Sequence, residues 1–149
     1  MSTQISEMMA FAIERERSAA AFYDGLAKLT NNPAMQAEFS KLAAQERGHL
    51  ARLERAQESE DGLQQRTEVV DLRLSDYLVG VEPTPGMSYD ELLVLAIHRE
   101  QQALALYTDM AAKVADGSFK KLLLALAKEE ANHKHKFEVE FNDVYLAQN

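Results

Sequence analysis

The chain of 149 residues sets 24 acidic side chains against 16 basic ones, for a net charge of −8, and contains no cysteine. Disulfides, thiolate catalysis and cysteine-ligated iron or zinc are thereby excluded, and a net negative charge without a long basic cluster disfavours nucleic acid and anionic membrane as partners. The N-terminus turns acidic before any sustained apolar run and no stretch of about 18 apolar residues occurs, so one soluble, cytoplasmic domain over residues 1–149 is expected.

Apolar residues at three and four spacing, among many Ala, Glu, Arg and Met, predict a first helix from about Thr3 to Leu29. The segment TNNP ends it, with Asn32 as cap and Pro33 in the first turn of a second helix that runs to about Gln57. Residues 58–87 read as a long crossover: ESEDG opens it, Pro83 and Pro85 punctuate it, and DLRLSDYLVG suits one short helix inside it. A third helix starts at SYDE, where Ser88 and Glu91 have capping-box spacing, and fades at Asp116 and Gly117. Ser118 opens a fourth helix that reaches the neighbourhood of Tyr145. The fold expected is all-α: a four-helix bundle of two hairpins, at about residues 3–57 and 88–146, joined by the crossover.

The two hairpins are one pattern written twice. Residues 12–23, AIERERSAAAFY, and residues 96–107, AIHREQQALALY, agree at seven of twelve positions with an offset of 84. The same offset lays LAAQERGH (42–49) on LAKEEANH (126–133), so that Leu42, Ala43, Glu46 and His49 fall on Leu126, Ala127, Glu130 and His133. A repeat that served packing alone would keep apolar positions, whereas this one keeps Glu and His.

These polar residues interrupt apolar faces. Glu16 lies among Met9, Ala12, Ile13, Ala20 and Tyr23, and Glu100 among Leu93, Ala96, Ile97, Leu104 and Tyr107. Glu46 and His49 lie among Phe39, Leu42 and Leu53, and Glu130 and His133 among Leu122, Leu126, Phe137 and Phe141. A spacing of three keeps each Glu on the helix face of its His. The midpoint of Glu16 and Glu46 is residue 31, in the TNNP turn, and that of Glu100 and Glu130 is residue 115, beside Asp116. Antiparallel helices folded at those turns bring each pair of carboxylates to one level, roughly 22 Å from the turn at 1.5 Å per residue.

Four carboxylates in an apolar core each cost several kcal/mol unless compensated or protonated. Arg15, Arg17, Arg47 and Arg99 fall off the inner positions, so no side-chain cation neutralises the layer. Two divalent ions would, with neutral His49 and His133 as further ligands. Carboxylates and imidazoles without sulfur suit iron or manganese, and zinc can enter the same ligands.

One Glu from each of two helices and Glu-x-x-His from each of the other two resembles the ferritin-like di-iron carboxylate pattern. The sequence resembles its rubrerythrin-like branch in particular, through the spacings Glu16/Tyr23 and Glu100/Tyr107, the long connection after the second helix, and the ending EEANHKHKFEVEFNDVY. The resemblance implies two iron ions. Glu46 with His49 and Glu130 with His133 would hold one each, and Glu16 and Glu100 would complete the set as terminal or bridging ligands. It also implies a peroxidase or oxidase reacting with hydrogen peroxide or dioxygen in oxidative-stress defence. The alternatives are a ferroxidase that stores or handles iron, and a scaffold in which metal joins the helices. Two departures stand out. Rubrerythrins usually append a rubredoxin domain with a four-cysteine iron site, so electrons here would come from a separate donor such as rubredoxin. They also tend to carry an extra Glu one turn from the third-helix ligand, where this chain has Ile97 and Ala103.

Tyr23 and Tyr107 are expected in the core behind the ligands, their hydroxyls on nearby carboxylates. His98 and His135, two residues from a ligand, are expected on the surface. Glu14, Glu54, Glu129 and Glu138 fall off the inner layer, the repeated pair Glu54/Glu138 being placed to support it. The internal repeat and the long connection lead us to expect a homodimer, in a form that allows hairpins to be exchanged between chains.

Overall fold

The computed structural model describes residues 3–58 and 82–148. Its helices are α1 (Thr3–Leu29), α2 (Pro33–Glu58), α3 (Tyr89–Lys113) and α4 (Ser118–Gln148), with α1 packed on α2, α3 on α4, and α1 touching α3 across the hairpins. This is the expected four-helix bundle of two hairpins. The short helix expected at DLRLSDYLVG, and most of the crossover, lie outside the described residues.

Local chemistry sets the boundaries. The Asn32 side chain accepts from the backbone N–H groups of Ala34 (3.0 Å) and Met35 (3.3 Å), covering donors that the first turn of α2 cannot use. Ser88 and Glu91 form the capping box at the start of α3, each side chain accepting from the other's backbone N–H. Such a cap is worth about 1 kcal/mol. The bounds of α2 and α4 extend one and three residues past the expected Gln57 and Tyr145.

The core is divided in two by a polar layer. At one end Phe22, Tyr23, Leu26, Phe39, Leu42, Ala43, Leu92, Leu93, Ala96 and Phe137 pack together. Tyr23 stacks on Phe39 and Phe137 with ring centroids 6.4 and 5.9 Å apart. At the other end Met9, Ile13, Leu53, Leu106, Tyr107, Met110, Phe119, Leu123 and Leu126 do the same. Along every helix the ligand-type residues fall between members of the two clusters, which puts Glu16, Glu46, Glu100 and Glu130 at one height. The same division places the C-terminal end of α2 and the N-terminal end of α3 at opposite ends of the bundle, as a crossover requires.

Four residues expected on inner faces are only half-buried: Ile97, Leu104, Leu122 and Phe141. Leu106 and Leu123 take inner positions in α3 and α4, because contact between hairpins as well as within them sets the buried arc. Arg99 points away from the carboxylates as expected, yet it is buried. Its guanidinium lies 4.4 Å from the Phe22 ring centroid and donates to Ser18 Oγ (3.2 Å) and to Glu82 (3.1 Å). Among the described residues no helix is long and apolar enough to cross a membrane.

Candidate metal centre

All six residues singled out by the repeat are buried, with Glu16, Glu46, Glu100 and Glu130 no more than 2% exposed and His49 and His133 at 3% and 7%. They form two overlapping groups, Glu16–Glu46–His49–Glu130 and Glu46–Glu100–Glu130–His133, in each of which one ligand atom per residue lies within 4.8 Å of all the others. Glu46 and Glu130 belong to both groups, and Glu16 and Glu100 to one each. The shared residues come from the helices that carry the histidines, whose rings lie nearly parallel with centroids 6.2 Å apart.

Each group converges on an imidazole nitrogen. His49 Nδ1 lies 2.9 Å from Glu130 Oε1, 3.7 Å from Glu16 Oε2 and 3.8 Å from Glu46 Oε2. His133 Nδ1 lies 3.4 Å from Glu46 Oε1, 3.7 Å from Glu100 Oε2 and 3.9 Å from Glu130 Oε1. None of these approaches has hydrogen-bond geometry. Glu16 Oε2, Glu46 Oε1, Glu100 Oε2, Glu130 Oε1 and both Nδ1 atoms are therefore buried without a hydrogen-bond partner. Six buried polar atoms aimed at one another without hydrogen-bond partners are costly unless the carboxyls take up protons or a cation accepts the lone pairs. The residues fit a pair of divalent ions in number, charge and ligand type.

The tyrosines cross between the hairpins. Tyr107 of α3 donates to Glu16 Oε1 of α1, and Tyr23 of α1 donates to Glu100 Oε1 of α3. One oxygen of each carboxylate is thus fixed while Oε2 stays turned to the centre. Burial raises both phenols well above their usual range, and the facing carboxylates, Glu100 for Tyr23 and Glu16 for Tyr107, raise them further. Both hydroxyls keep their protons at neutral pH and act as donors.

The carboxyls respond to their positions. Burial pushes Glu46 and Glu130 well above the usual carboxylate range, and like charge adds to it, from Glu16 at Glu46 and from Glu100 at Glu130. Burial works in the same direction on Glu16, but its contacts with Glu46, His49 and Tyr107 outweigh it and hold that carboxyl below its usual value.

His98 and His135 are exposed. Glu14 pairs with Arg17 and Glu138 with Lys134 (3.7 Å), both away from the layer, and Glu54 is exposed, so the Glu54/Glu138 pair gives the centre no support. The residue that the repeat did not disclose is Glu129. Its Oε2 lies 3.2 Å from His49 Nε2 and 2.9 Å from Arg52 Nη1, so it touches the outer nitrogen of a ligand-type histidine. Its counterpart at the 84-residue offset is Gln45, and conserved letters between the hairpins could not reveal a residue that differs between them.

No curated protein matches the chain. A solved structure of a hypothetical protein from Pyrococcus furiosus superposes with a TM-score of 0.71 at 24% identity, covering 93% of this chain and 88% of that one, a likeness of fold. Residues 91–149 match the family model for rubrerythrin. That stretch supplies Glu100, Glu130 and His133, and the chain carries none of the cysteines that a rubredoxin site would use.

Proposed function

We propose that the protein is a non-haem di-iron oxidoreductase that reduces hydrogen peroxide or dioxygen, in the manner of a rubrerythrin-like peroxidase or oxidase of oxidative-stress defence. The observation that carries this reading is the pair of overlapping ligand groups sharing Glu46 and Glu130, with their orphaned atoms turned inward. Glu16 and His49 would serve one ion, Glu100 and His133 the other, and the shared carboxylates both. Bound iron supplies one electron per ion, which matches the two that take hydrogen peroxide to water or dioxygen to hydrogen peroxide. Tyr107 and Tyr23 keep one oxygen of Glu16 and Glu100 engaged, so these carboxylates cannot rotate freely when the charge of the centre changes. A cavity of about 570 Å³ reaches both imidazole rings between α2 and α4, past Gln45, Arg52, Glu129 and Lys136, and is wide enough for a small oxidant.

A ferroxidase or iron-handling protein would use the same ligands. It is favoured by Ile97, half-buried, and Ala103, buried, which add no carboxylate where rubrerythrins tend to have one. Stopped-flow mixing of the diferrous protein with peroxide and with dioxygen separates the two. Faster oxidation by peroxide, with turnover when reduced rubredoxin or another donor is supplied, is the expected result. Faster oxidation by dioxygen with repeated uptake of added ferrous ion would favour the ferroxidase, and inertness to both would end the enzymatic reading.

The proposal extends to assembly as a homodimer, supported by the near-equivalence of the two hairpins. One chain supplies all six ligands in this structure, and an exchanged dimer would draw three from each of two chains. Light scattering should give the dimer mass, and co-refolding Glu16→Ala with Glu130→Ala chains should regenerate an intact centre if hairpins exchange. A monomer that binds two ions rules the dimer out.

A further inference from the structure

The 84-residue repeat puts chemically different residues behind two otherwise equivalent histidines. Residues on α2 and α4 line the cavity in matched pairs, His49 with His133, Gln45 with Glu129 and Arg52 with Lys136. On one side Glu129 Oε2 bridges His49 Nε2 (3.2 Å) and Arg52 Nη1 (2.9 Å). On the other side the corresponding residue is the neutral Gln45. Among the described residues, the carboxylates that approach His133 do so at Nδ1, from inside the centre.

An imidazole offers Nδ1 to a metal only when its proton sits on Nε2, and the partner of Nε2 decides whether that tautomer is fixed beforehand. A carboxylate there holds the ring in one orientation and makes the inward nitrogen a stronger donor. Gln45 offers His133 no negative charge to match the one that Glu129 brings to His49 Nε2. Arg52 donates to the same carboxylate oxygen that approaches His49, so Glu129 is itself held in place. We propose that the two metal positions are inequivalent, that the ion served by His49 and Glu16 is held more tightly than the ion served by His133 and Glu100, and that Glu129 is the positioning residue responsible. This inference rests on the metal-centre reading above.

The test is calorimetric titration of Mn²⁺, a hard divalent ion suited to these ligands, into metal-free full-length protein. Wild type should bind in two resolved steps. Glu129→Gln should weaken the first step by roughly tenfold, the low end of the effect of such partners because Glu129 is partly solvated, and should draw the steps together. Gln45→Glu should strengthen the weaker step. Combining both substitutions should restore the separation, which a purely structural disturbance by either would not do. Circular dichroism checks that each variant keeps its helices. Two indistinguishable steps in wild type, or steps unmoved by Glu129→Gln, overturn the inference and leave the metal centre standing. Failure of wild type to bind Mn²⁺ at all overturns both.

Discussion

Glu46→Ala and Glu130→Ala should each strip the protein of at least one metal ion per chain and weaken the other, whereas Glu16→Ala and Glu100→Ala should each affect one ion. The difference follows from membership: Glu46 and Glu130 belong to both ligand groups, and Glu16 and Glu100 to one. Removing a shared carboxylate takes a ligand and a unit of negative charge from both positions at once. The residual layer then carries less charge than two divalent ions need for neutrality, so the second ion loses affinity as well. His98→Ala and His135→Ala, at exposed positions off the layer, should leave metal content unchanged. Elemental analysis of each variant after gel filtration in chelator-treated buffer measures this directly. Full occupancy in Glu130→Ala would remove the assignment, because no other described residue combines membership of both groups with a position on α4. The variants should keep their helices, since deleting a buried carboxylate also relieves repulsion, and circular dichroism separates lost ligation from lost fold.

The centre was legible in the sequence because it is written twice. One Glu-x-x-His on a helix is ordinary surface chemistry, but Glu46/His49 and Glu130/His133 recur at an offset shared with Glu16 and Glu100, and the turn midpoints give all four carboxylates one height. Helix periodicity carries that information, and so it carries the bundle. The fate of residues on the shoulder of a helix is less readable. Glu129 precedes Glu130 and, from α4 alone, points off the layer; that it reaches His49 depends on how α4 sits against α2. Arg99 reads as lying off the inner positions of α3, but its burial against Phe22 depends on packing between hairpins that no single helix encodes. Ile97, Leu104, Leu122 and Phe141 were set too deep for the same reason. The caps at Asn32 and Ser88 read correctly, because a cap is satisfied by residues two or three positions away.

Removing the metal should lower the melting temperature at neutral pH by on the order of 10 °C, and should reverse the direction in which stability responds to pH. An ion present at about a thousand times its Kd stabilises the state that binds it by about 4 kcal/mol. Each kcal/mol shifts the melting temperature of a chain this size by about 2–4 °C. In the metal-free protein Glu46 and Glu130 titrate well above the usual carboxylate range, through burial and then the repulsion of neighbouring carboxylates, whereas in the unfolded chain they titrate near 4.3. Between those values the native state holds protons that the unfolded state has lost. The stability they contribute is therefore complete below the unfolded pKa and disappears as pH rises through the folded one. Glu16, held low, acts in the opposite sense, but only below the unfolded carboxylate range. From neutral pH down to about 5 the apoprotein should thus become more stable. The loaded protein should become less stable over the same interval, because protons compete with metal for the same oxygens and imidazoles. Melting curves of both forms at half-unit pH steps should converge as pH falls. Parallel curves, or equal melting temperatures at neutral pH, would mean that the carboxylates are not stranded by metal removal and that the buried layer is stabilised in some other way.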